Sequence, residues 1–228
     1  MMFWNEENER ESPLTAPEDV FDIVFKLSGK CLEIDHAHDL SQALRQLIPD
    51  QSYLQLGIHQ IRVAESGNGW DRPMNSGAIM QLSRRTKLMI RADLDSLGDV
   101  TKIIGKTLQL GDWQIEIGES SIRKLSLLGT LFSHAVSCDE HLPEEDFLAV
   151  VAGQLDGMDI SVSKMICGKA GSIRTDTENI FTRSLMIADL KPEESVRLQK
   201  QGIGESRNLG CGIFIPHKGI DAVYSLQE

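Results

Sequence analysis

The chain has 228 residues, of which 41% are hydrophobic and 25% charged, and this composition indicates a soluble globular protein and excludes a disordered one. Its 34 acidic and 23 basic side chains give a net charge of −11, which taken whole argues against a nucleic-acid partner, because a phosphate backbone is bound by Lys and Arg. No apolar run approaches the roughly 18–20 residues of a membrane span. The N-terminus has no basic segment, so we expect neither a membrane partner nor a secretory signal.

The first half of the chain predicts the order strand, helix, strand, strand, helix, strand. An acidic tail at residues 1–19 precedes a strand at 20–27 that is rich in β-branched and aromatic residues. Asp35 is a good N-cap for a helix whose apolar residues recur at helical spacing until Pro49. The remaining predicted elements are strands at 58–63 and 86–91, a helix at 94–104 and a hairpin over 107–117 that turns at Gly111-Asp112.

The second half repeats this order of elements. The predicted elements are a strand region at 121–137, a helix at 143–156, strands at 159–166 and 180–188, a helix from Pro192 to Gly202 and a last strand at 212–215. An internal repeat of the same six-element order predicts an α+β fold of two tandem ferredoxin-like (βαββαβ) domains. The predicted division is a tail at 1–19, an N-terminal domain at 20–118 and a C-terminal domain at 119–228.

The negative charge is concentrated in two segments. Residues 1–22 carry seven acidic side chains and one basic one, and residues 139–159 carry seven acidic side chains and no basic one. Together these segments hold −13, so the rest of the chain carries +2. Three stretches, 72–91, 160–183 and 196–218, are locally basic. This distribution favours a polyanion-binding face despite the acidic total.

The cysteines and histidines do not have the spacing of a metal site. None of the four cysteines stands in a CxxC pair, which favours isolated thiols in a cytoplasmic protein. His36 and His38 are two residues apart, which on a helix directs them to different sides. We therefore expect no metal and no cofactor.

A glycine-rich loop at residues 202–212 lies between the last predicted helix and the last predicted strand. Its glycines are Gly202, Gly204, Gly210 and Gly212, and Arg207 is the cation between them. A Rossmann fingerprint or a P-loop follows a strand and precedes a helix, so the reversed order here disfavours a dinucleotide or nucleoside triphosphate. Glycines allow backbone N–H groups to approach a phosphate closely, and a plain connection would need only one or two.

The loop and several shorter segments together resemble one protein family. They are Gly202–Gly212 with its continuation Ile213-Phe214-Ile215-Pro216, the segments at 25–30, 83–88 and 181–185, and the pair Asp35-His36. The loop resembles the C-terminal loop of the repeat-associated RNA-binding superfamily. The combined motifs, over roughly residues 20–224, resemble the Cas6 family of CRISPR RNA-processing endoribonucleases in its MYXAN-type branch. The family fold is two ferredoxin-like domains, as the element order also predicts.

The resemblance implies metal-independent cleavage of precursor CRISPR RNA within its repeat, by attack of a 2′-hydroxyl on the adjacent phosphate. That reaction needs a base, a cation and an acid. In the family a histidine near the start of the first helix often serves as the base, and His36 occupies this position. A helix N-terminus also keeps an imidazole neutral, as a base requires. His59 is a second catalytic candidate, and Lys87, Arg85 and Lys164 remain open as the cation.

RNA contacts are expected from the cations of the basic stretches and from the loop. The predicted contact residues are Arg84, Arg85, Lys164, Arg183, Gly202, Gly204, Arg207, Gly210, Gly212 and Lys218. Because the chain has only 12 aromatic residues, we expect recognition of RNA shape and phosphates rather than extensive base stacking. The implied partners are the CRISPR repeat or guide RNA and other subunits of a CRISPR effector complex.

Two other functions remain open at this point. A non-catalytic subunit that holds the RNA handle in an effector complex would explain the basic stretches and the loop without His36. A small-molecule anion or nucleotide enzyme would use the same loop, although the helix-then-strand order disfavours it.

Overall fold

The computed structural model describes residues 18–63 and 78–217, which form an α+β fold with antiparallel sheets. The strands are β1 Val20–Gly29, β2 Cys31–Glu33, β3 Gly57–Ile58, β4 Ile79–Gln81, β5 Lys87–Asp93, β6 Thr107–Leu110, β7 Trp113–Lys124, β8 Leu131–Ser137, β9 Lys164–Arg174, β10 Asn179–Ala188 and β11 Ile215–Pro216. The helices are α1 Ala37–Arg45, α2 Asp50–Tyr53, α3 Leu97–Thr101, α4 Glu144–Asp156 and α5 Pro192–Gln201. Within the described ranges, no helix is long and apolar enough to cross a membrane.

The first sheet has the strand order β3-β5-β1-β7-β6, and every pair in it is antiparallel. Alternate residues of β1, including Ile23 and Phe25, are buried on the face that α1 and α3 cover. Leu40 and Leu44 of α1 join the same hydrophobic cluster. The strands β2 and β4 form a separate two-stranded sheet.

The second sheet has the strand order β11-β8-β10-β9, again with antiparallel pairs. Phe147 and Val151 of α4 and Leu198 of α5 pack with Leu185 and Ile187 of β10 in a second hydrophobic cluster. Each sheet therefore has its own core.

Several sequence predictions are confirmed. The predicted helix at 143–156 is α4, Pro192 is the first residue of α5, and Gly202 is the C-cap of α5 with φ +71°. The predicted hairpin is β6 and β7, where Leu110 pairs with Trp113 across Gly111-Asp112. These elements are specified by local periodicity, caps and turn residues, which act over a few residues.

The predicted strand region at 121–137 is wrong as a single element. β7 continues to Lys124 in the first sheet, β8 begins at Leu131 in the second, and the proposed division between residues 118 and 119 falls within β7. The connection between β7 and β8 pairs with a side chain instead of a strand: the N–H of Ser126 donates to Gln199 Oε1, and Gln199 Nε2 donates to the carbonyl of Ser126.

Three other predicted strands differ from the observed ones. The strand predicted at 159–166 begins only at Lys164 and runs to Arg174, and the N–H of Ser161 instead donates to Glu194 Oε1. The strand predicted at 58–63 pairs only at Gly57 and Ile58, and the last strand is confined to Ile215 and Pro216. Before Lys164, therefore, a side-chain hydrogen bond takes the place of strand pairing.

Buried Arg91 of β5 connects the first sheet to the segments on either side of the glycine-rich loop, at α5 and just before β11. Its guanidinium donates from Nε to Asp22 Oδ1 at 2.8 Å and from Nη2 to Asp22 Oδ2 at 3.1 Å. Nη1 donates to the carbonyls of Gln199 and Phe214, each at 2.8 Å. These carbonyls lie on either side of the glycine-rich loop, so Arg91 holds both ends of the loop against β1 and β5.

Candidate active site

A cleft of about 240 Å³ opens where β3, the edge strand of the first sheet, approaches β11, the edge strand of the second. It is lined by His59, Gln60, Arg62, Arg85, Lys87, Met89, His134, Gly210, Ile213 and Ile215. Among these described residues are three cations and no carboxylate, so the cleft favours an anionic ligand. A larger groove between α1 and β6 has only Asp39 as a charged lining residue and does not fit a polyanion.

A tight turn places two of the predicted cations at the cleft. The N–H of Thr86 donates to the carbonyl of Ser83 at 3.0 Å, and Thr86 Oγ1 accepts from the N–H of Ser83 at 3.0 Å. The turn exposes Arg84 and Arg85, and Lys87 follows as the first residue of β5. Arg85 and Lys87 line the cleft.

His59 lines the cleft from the side of β3 and is only 8% exposed. Its Nε2 lies 3.4 Å from Asp22 Oδ1. Burial lowers the pKa of His59, although the Asp22 carboxylate opposes the shift, so the ring is held neutral. Burial alone would raise the pKa of Asp22, but His59 and Arg91 together hold it well below its usual range. A neutral imidazole beside a carboxylate is a common arrangement for a general base.

Two ionisable residues of the cleft, His134 and Arg62, were not among the sequence predictions. His134 is exposed on β8, with its ring edge-on to Phe132 at 4.8 Å between centroids. Arg62 follows β3, and its Nη2 lies 3.4 Å from Gln60 Oε1. In the sequence, His134 lies within one predicted strand and Arg62 near the end of another. Neither position indicates on which face of its sheet the side chain lies.

The four glycines shape the glycine-rich loop rather than offer their N–H groups to a ligand. All four amides already donate within the protein, to Leu198 O, Gln154 Oε1, Arg207 O and Ala135 O respectively. At the neck of the loop, a Cβ on Gly202 would collide with the carbonyl of Gly212, and a Cβ on Gly212 with that of Ile203. In this conformation the glycine amides would bind a phosphate only by breaking these hydrogen bonds.

Arg207 points into the protein from within the loop. A Cβ on Gly57 would lie 3.4 Å from its Nη2 and one on Gly202 3.4 Å from its Nε, so the guanidinium packs close to both glycines. Its Nε is buried without a hydrogen-bond partner in the described part of the chain. Burial, with Arg91 nearby, lowers the pKa of Arg207 to about 10, so it remains cationic at neutral pH.

His36 is the N-cap of α1 and is only 2% exposed. Its Nδ1 lies 2.8 Å from the carbonyl oxygen of Glu33 and 3.0 Å from that of Ile34. Its Nε2 accepts from the N–H of Ile61 at 3.0 Å. Both ring nitrogens are therefore engaged by the backbone, and the ring does not line the cleft.

The family model described as Cas6 Crispr matches residues 21–219, which is most of the chain. The chain belongs to the Cas6 family. The predicted resemblance is thereby confirmed.

Individual relatives agree with this Cas6 assignment. The curated "CRISPR-associated endonuclease Cas6" of Myxococcus xanthus is 23% identical over 196 residues, covering 86% of this chain and 80% of that protein. A solved "CRISPR associated protein Cas6" superposes with a TM-score of 0.60 at 11% identity, covering 88% of this chain and 100% of the other. "An RAMP protein binding different RNA substrates" gives 0.58 at 15% identity, covering 87% and 100%. At these identities the structural matches show the fold alone.

In this Cas6-family chain two further predicted RNA-binding cations, Lys164 and Arg183, do not line the cleft. Lys164 at the start of β9 pairs with Asp189 at 3.0 Å. Arg183 of β10 donates from Nη2 to the carbonyl of Leu142 at 3.0 Å. Lys218 lies outside the described residues. RNA contact by these side chains stays a prediction.

Proposed function

We propose that the chain is a metal-independent endoribonuclease that cleaves precursor CRISPR RNA within the repeat, with the cleft as its active site. The observation that carries this proposal is the cleft lining, where His59 and His134 accompany Arg62, Arg85 and Lys87. The Myxococcus xanthus relative is named an endonuclease, and one structural relative is named for its RNA substrates. Together they favour RNA as the anionic ligand.

The proposed reaction requires proton transfer and charge stabilisation. The 2′-oxygen loses its proton to a base and bonds to the adjacent phosphorus, and the bond from phosphorus to the 5′-oxygen breaks. An acid protonates the leaving oxygen, which yields a 2′,3′-cyclic phosphate and a 5′-hydroxyl. Cations stabilise the negative charge that develops on the phosphorane oxygens.

The side chains of the cleft supply these roles. We assign the base to His59, because burial keeps its ring neutral and Asp22 lies beside it. We assign the acid to His134 on the strand that comes from the second sheet, and charge stabilisation to Lys87 and Arg85. His36, the base implied by the family resemblance, has both ring nitrogens engaged with the backbone, which favours His59 instead.

We also propose that the two sheets belong to two tandem ferredoxin-like domains. In chain order, β3-β5-β1-β7 is the second, third, first and fourth strand of a βαββαβ unit, and β11-β8-β10-β9 is the fourth, first, third and second. These are the same order read in opposite directions, which supports a duplicated unit. The division then lies between Lys124 and Leu131, and residues 202–212 are the C-terminal glycine-rich loop.

The proposal places the enzyme in the cytoplasm with its precursor RNA. Retention of the guide RNA after cleavage, and contact with other effector subunits, extend the same proposal. Size-exclusion chromatography after complete cleavage tests retention, because a retained product co-elutes with the protein.

The direct test incubates the purified protein with its repeat RNA in the presence of EDTA. We expect one cut in the repeat and a 2′,3′-cyclic phosphate that blocks 3′-end ligation until it is removed. Failure to cut at a specific position would refute the catalytic claim. Tight binding with unchanged RNA length would instead support a non-catalytic subunit that holds the RNA handle.

Variants of the cleft test the assigned roles. His59→Ala should lower the single-turnover cleavage rate by about 10²–10⁴-fold, the usual loss for a general base. Lys87→Met should lower the rate and also weaken binding. His141→Ala is the matched control, because this side chain is 88% exposed and does not line the cleft. Equal activity of His59→Ala and His141→Ala would remove His59 from the reaction.

A further inference from the structure

We infer that His36 is a positioning residue: its ring holds the segment at residues 59–63, which carries His59, Gln60 and Arg62 to the cleft. This inference rests on the proposed function of the cleft. It assigns His36 a role that is different from proton transfer, although the position at the start of the first helix suggested a base.

The ring connects three pieces of backbone. Nδ1 carries the proton, because its two neighbours, the carbonyls of Glu33 and Ile34, can only accept. Nε2 therefore has the lone pair, and it accepts the N–H of Ile61 at 3.0 Å. The ring thus ties the chain beyond β3 to the connection between β2 and α1.

The tied segment begins where the ladder between β3 and β5 ends. The last paired residue is Ile58, and the N–H of His59 donates to the carbonyl of Met89 at 3.0 Å. Ile61 lies between Gln60 and Arg62, both of which line the cleft. A fixed Ile61 N–H therefore sets the path of both neighbours.

The surroundings of His36 disfavour a role as base. A proton on Nε2 would put two donors, the ring N–H and the N–H of Ile61, face to face. Burial lowers the pKa of His36, the carbonyls of Glu33 and Ile34 and the Asp35 carboxylate oppose the shift, and Arg62 adds to it. Helix N-caps favour Ser, Thr, Asp or Asn, yet this ring makes no cap hydrogen bond to α1. Its contacts are instead with the strand connections.

Two amide substitutions separate positioning from proton transfer. In His36→Gln the amide oxygen reaches about the position of Nε2 and can accept from Ile61, but an amide takes up no proton at neutral pH. In His36→Asn the shorter amide can donate near the Nδ1 position but does not reach Ile61. Positioning predicts that Gln retains function and Asn loses it, whereas a base predicts equal loss in both.

The measurements are the single-turnover cleavage rate, the affinity for the repeat RNA and hydrogen exchange at the Ile61 amide. We expect His36→Gln to stay within about threefold of the parent in all three. His36→Asn should lose roughly tenfold or more in affinity and exchange the Ile61 amide faster, because a buried donor is left unpaired. His141→Gln serves as the matched control for a surface histidine.

The outcomes also separate this inference from the proposed function. If His36→Gln is as inactive as His36→Asn while its affinity and Ile61 protection match the parent, the positioning role is wrong. If the parent protein itself does not cleave RNA, the proposed function fails. In that case the contrast in affinity and amide exchange between Gln and Asn still decides the role of His36.

Discussion

Replacing Arg91 with Met should destabilise the protein strongly, because the side chain is 1% exposed and its guanidinium donates to a buried carboxylate and to two backbone carbonyls. The change leaves the Asp22 carboxylate without its bidentate partner. It also leaves the carbonyls of Gln199 and Phe214 without the Nη1 donor. Met fills much of the volume of the Arg stem, so the loss comes from the polar contacts rather than from a cavity.

The size of the effect follows from the burial of both ions. Removing one partner of a buried ion pair costs about 3–5 kcal/mol, because the remaining charge stays desolvated. The two carbonyls add to this cost. The ion-pair cost alone, about 4 kcal/mol, is a large part of the 5–15 kcal/mol by which a typical domain is stable. The glycine-rich loop should also lose protection from hydrogen exchange, because both of its ends are held by Nη1.

The assay is urea unfolding of the parent, Arg91→Met, Asp22→Asn and the double variant. The double variant should be less destabilised than the sum of the single ones, because it removes both charges. Arg123→Met is the control: this side chain is exposed and its Nη1 lies 3.8 Å from Met89 Sδ, so the change should cost less than about 0.5 kcal/mol. A cost below about 1 kcal/mol for Arg91→Met would refute the reasoning.

Three further predictions concern the loop, the cleft and pH. Gly212→Ala should lower the free energy of unfolding by about 1–3 kcal/mol, because φ is +64° and the new Cβ would collide with the carbonyl of Ile203. An unchanged midpoint in urea unfolding would contradict the close packing at the neck of the loop. Arg85→Met should reduce the slope of log affinity against log salt by about one, and an unchanged slope would remove Arg85 from the phosphate contacts. Burial lowers the pKa of His36 and His59. At pH values below 6.5 the unfolded chain therefore binds more protons at these two rings than the folded protein does. Stability should therefore fall as pH drops below 6.5, by up to about 1.4 kcal/mol per pH unit for each ring, and a flat profile in thermal unfolding would show that the rings protonate in place.

The predicted elements that matched the structure depend on short-range signals. The helix α5 was recognisable from Pro192 at its start and Gly202 at its end, and the hairpin of β6 and β7 from Gly111-Asp112. The long strand β9 was misplaced because Gly168 and Gly171 interrupt its hydrophobic pattern. Its pairing with β10, rather than its own sequence, defines it.

In the candidate site, too, some residues could be predicted from the sequence and others depended on contacts between distant parts of the chain. Arg85, Lys87 and His59 were predicted to be functional, and the structure brings them to one cleft. His36 was predicted from its place at the helix start, but whether its ring faces a ligand or the backbone depends on Ile61, 25 residues away. His134 was not predicted, because it lines the cleft only where β8 lies close to residues of the first sheet.

The sequence by itself determined the α+β class, the family resemblance, the glycine-rich loop and the separation of the acidic segments from the basic ones. These features depend on residue type and on spacing within a few residues, which the chain carries locally. Only the tertiary structure decided that the loop amides are used internally, that Arg207 points inward and that His59 rather than His36 reaches the cleft. The reason is that strand register and sheet contact join residues far apart in the chain, and a single shift in register would exchange the faces on which their side chains lie.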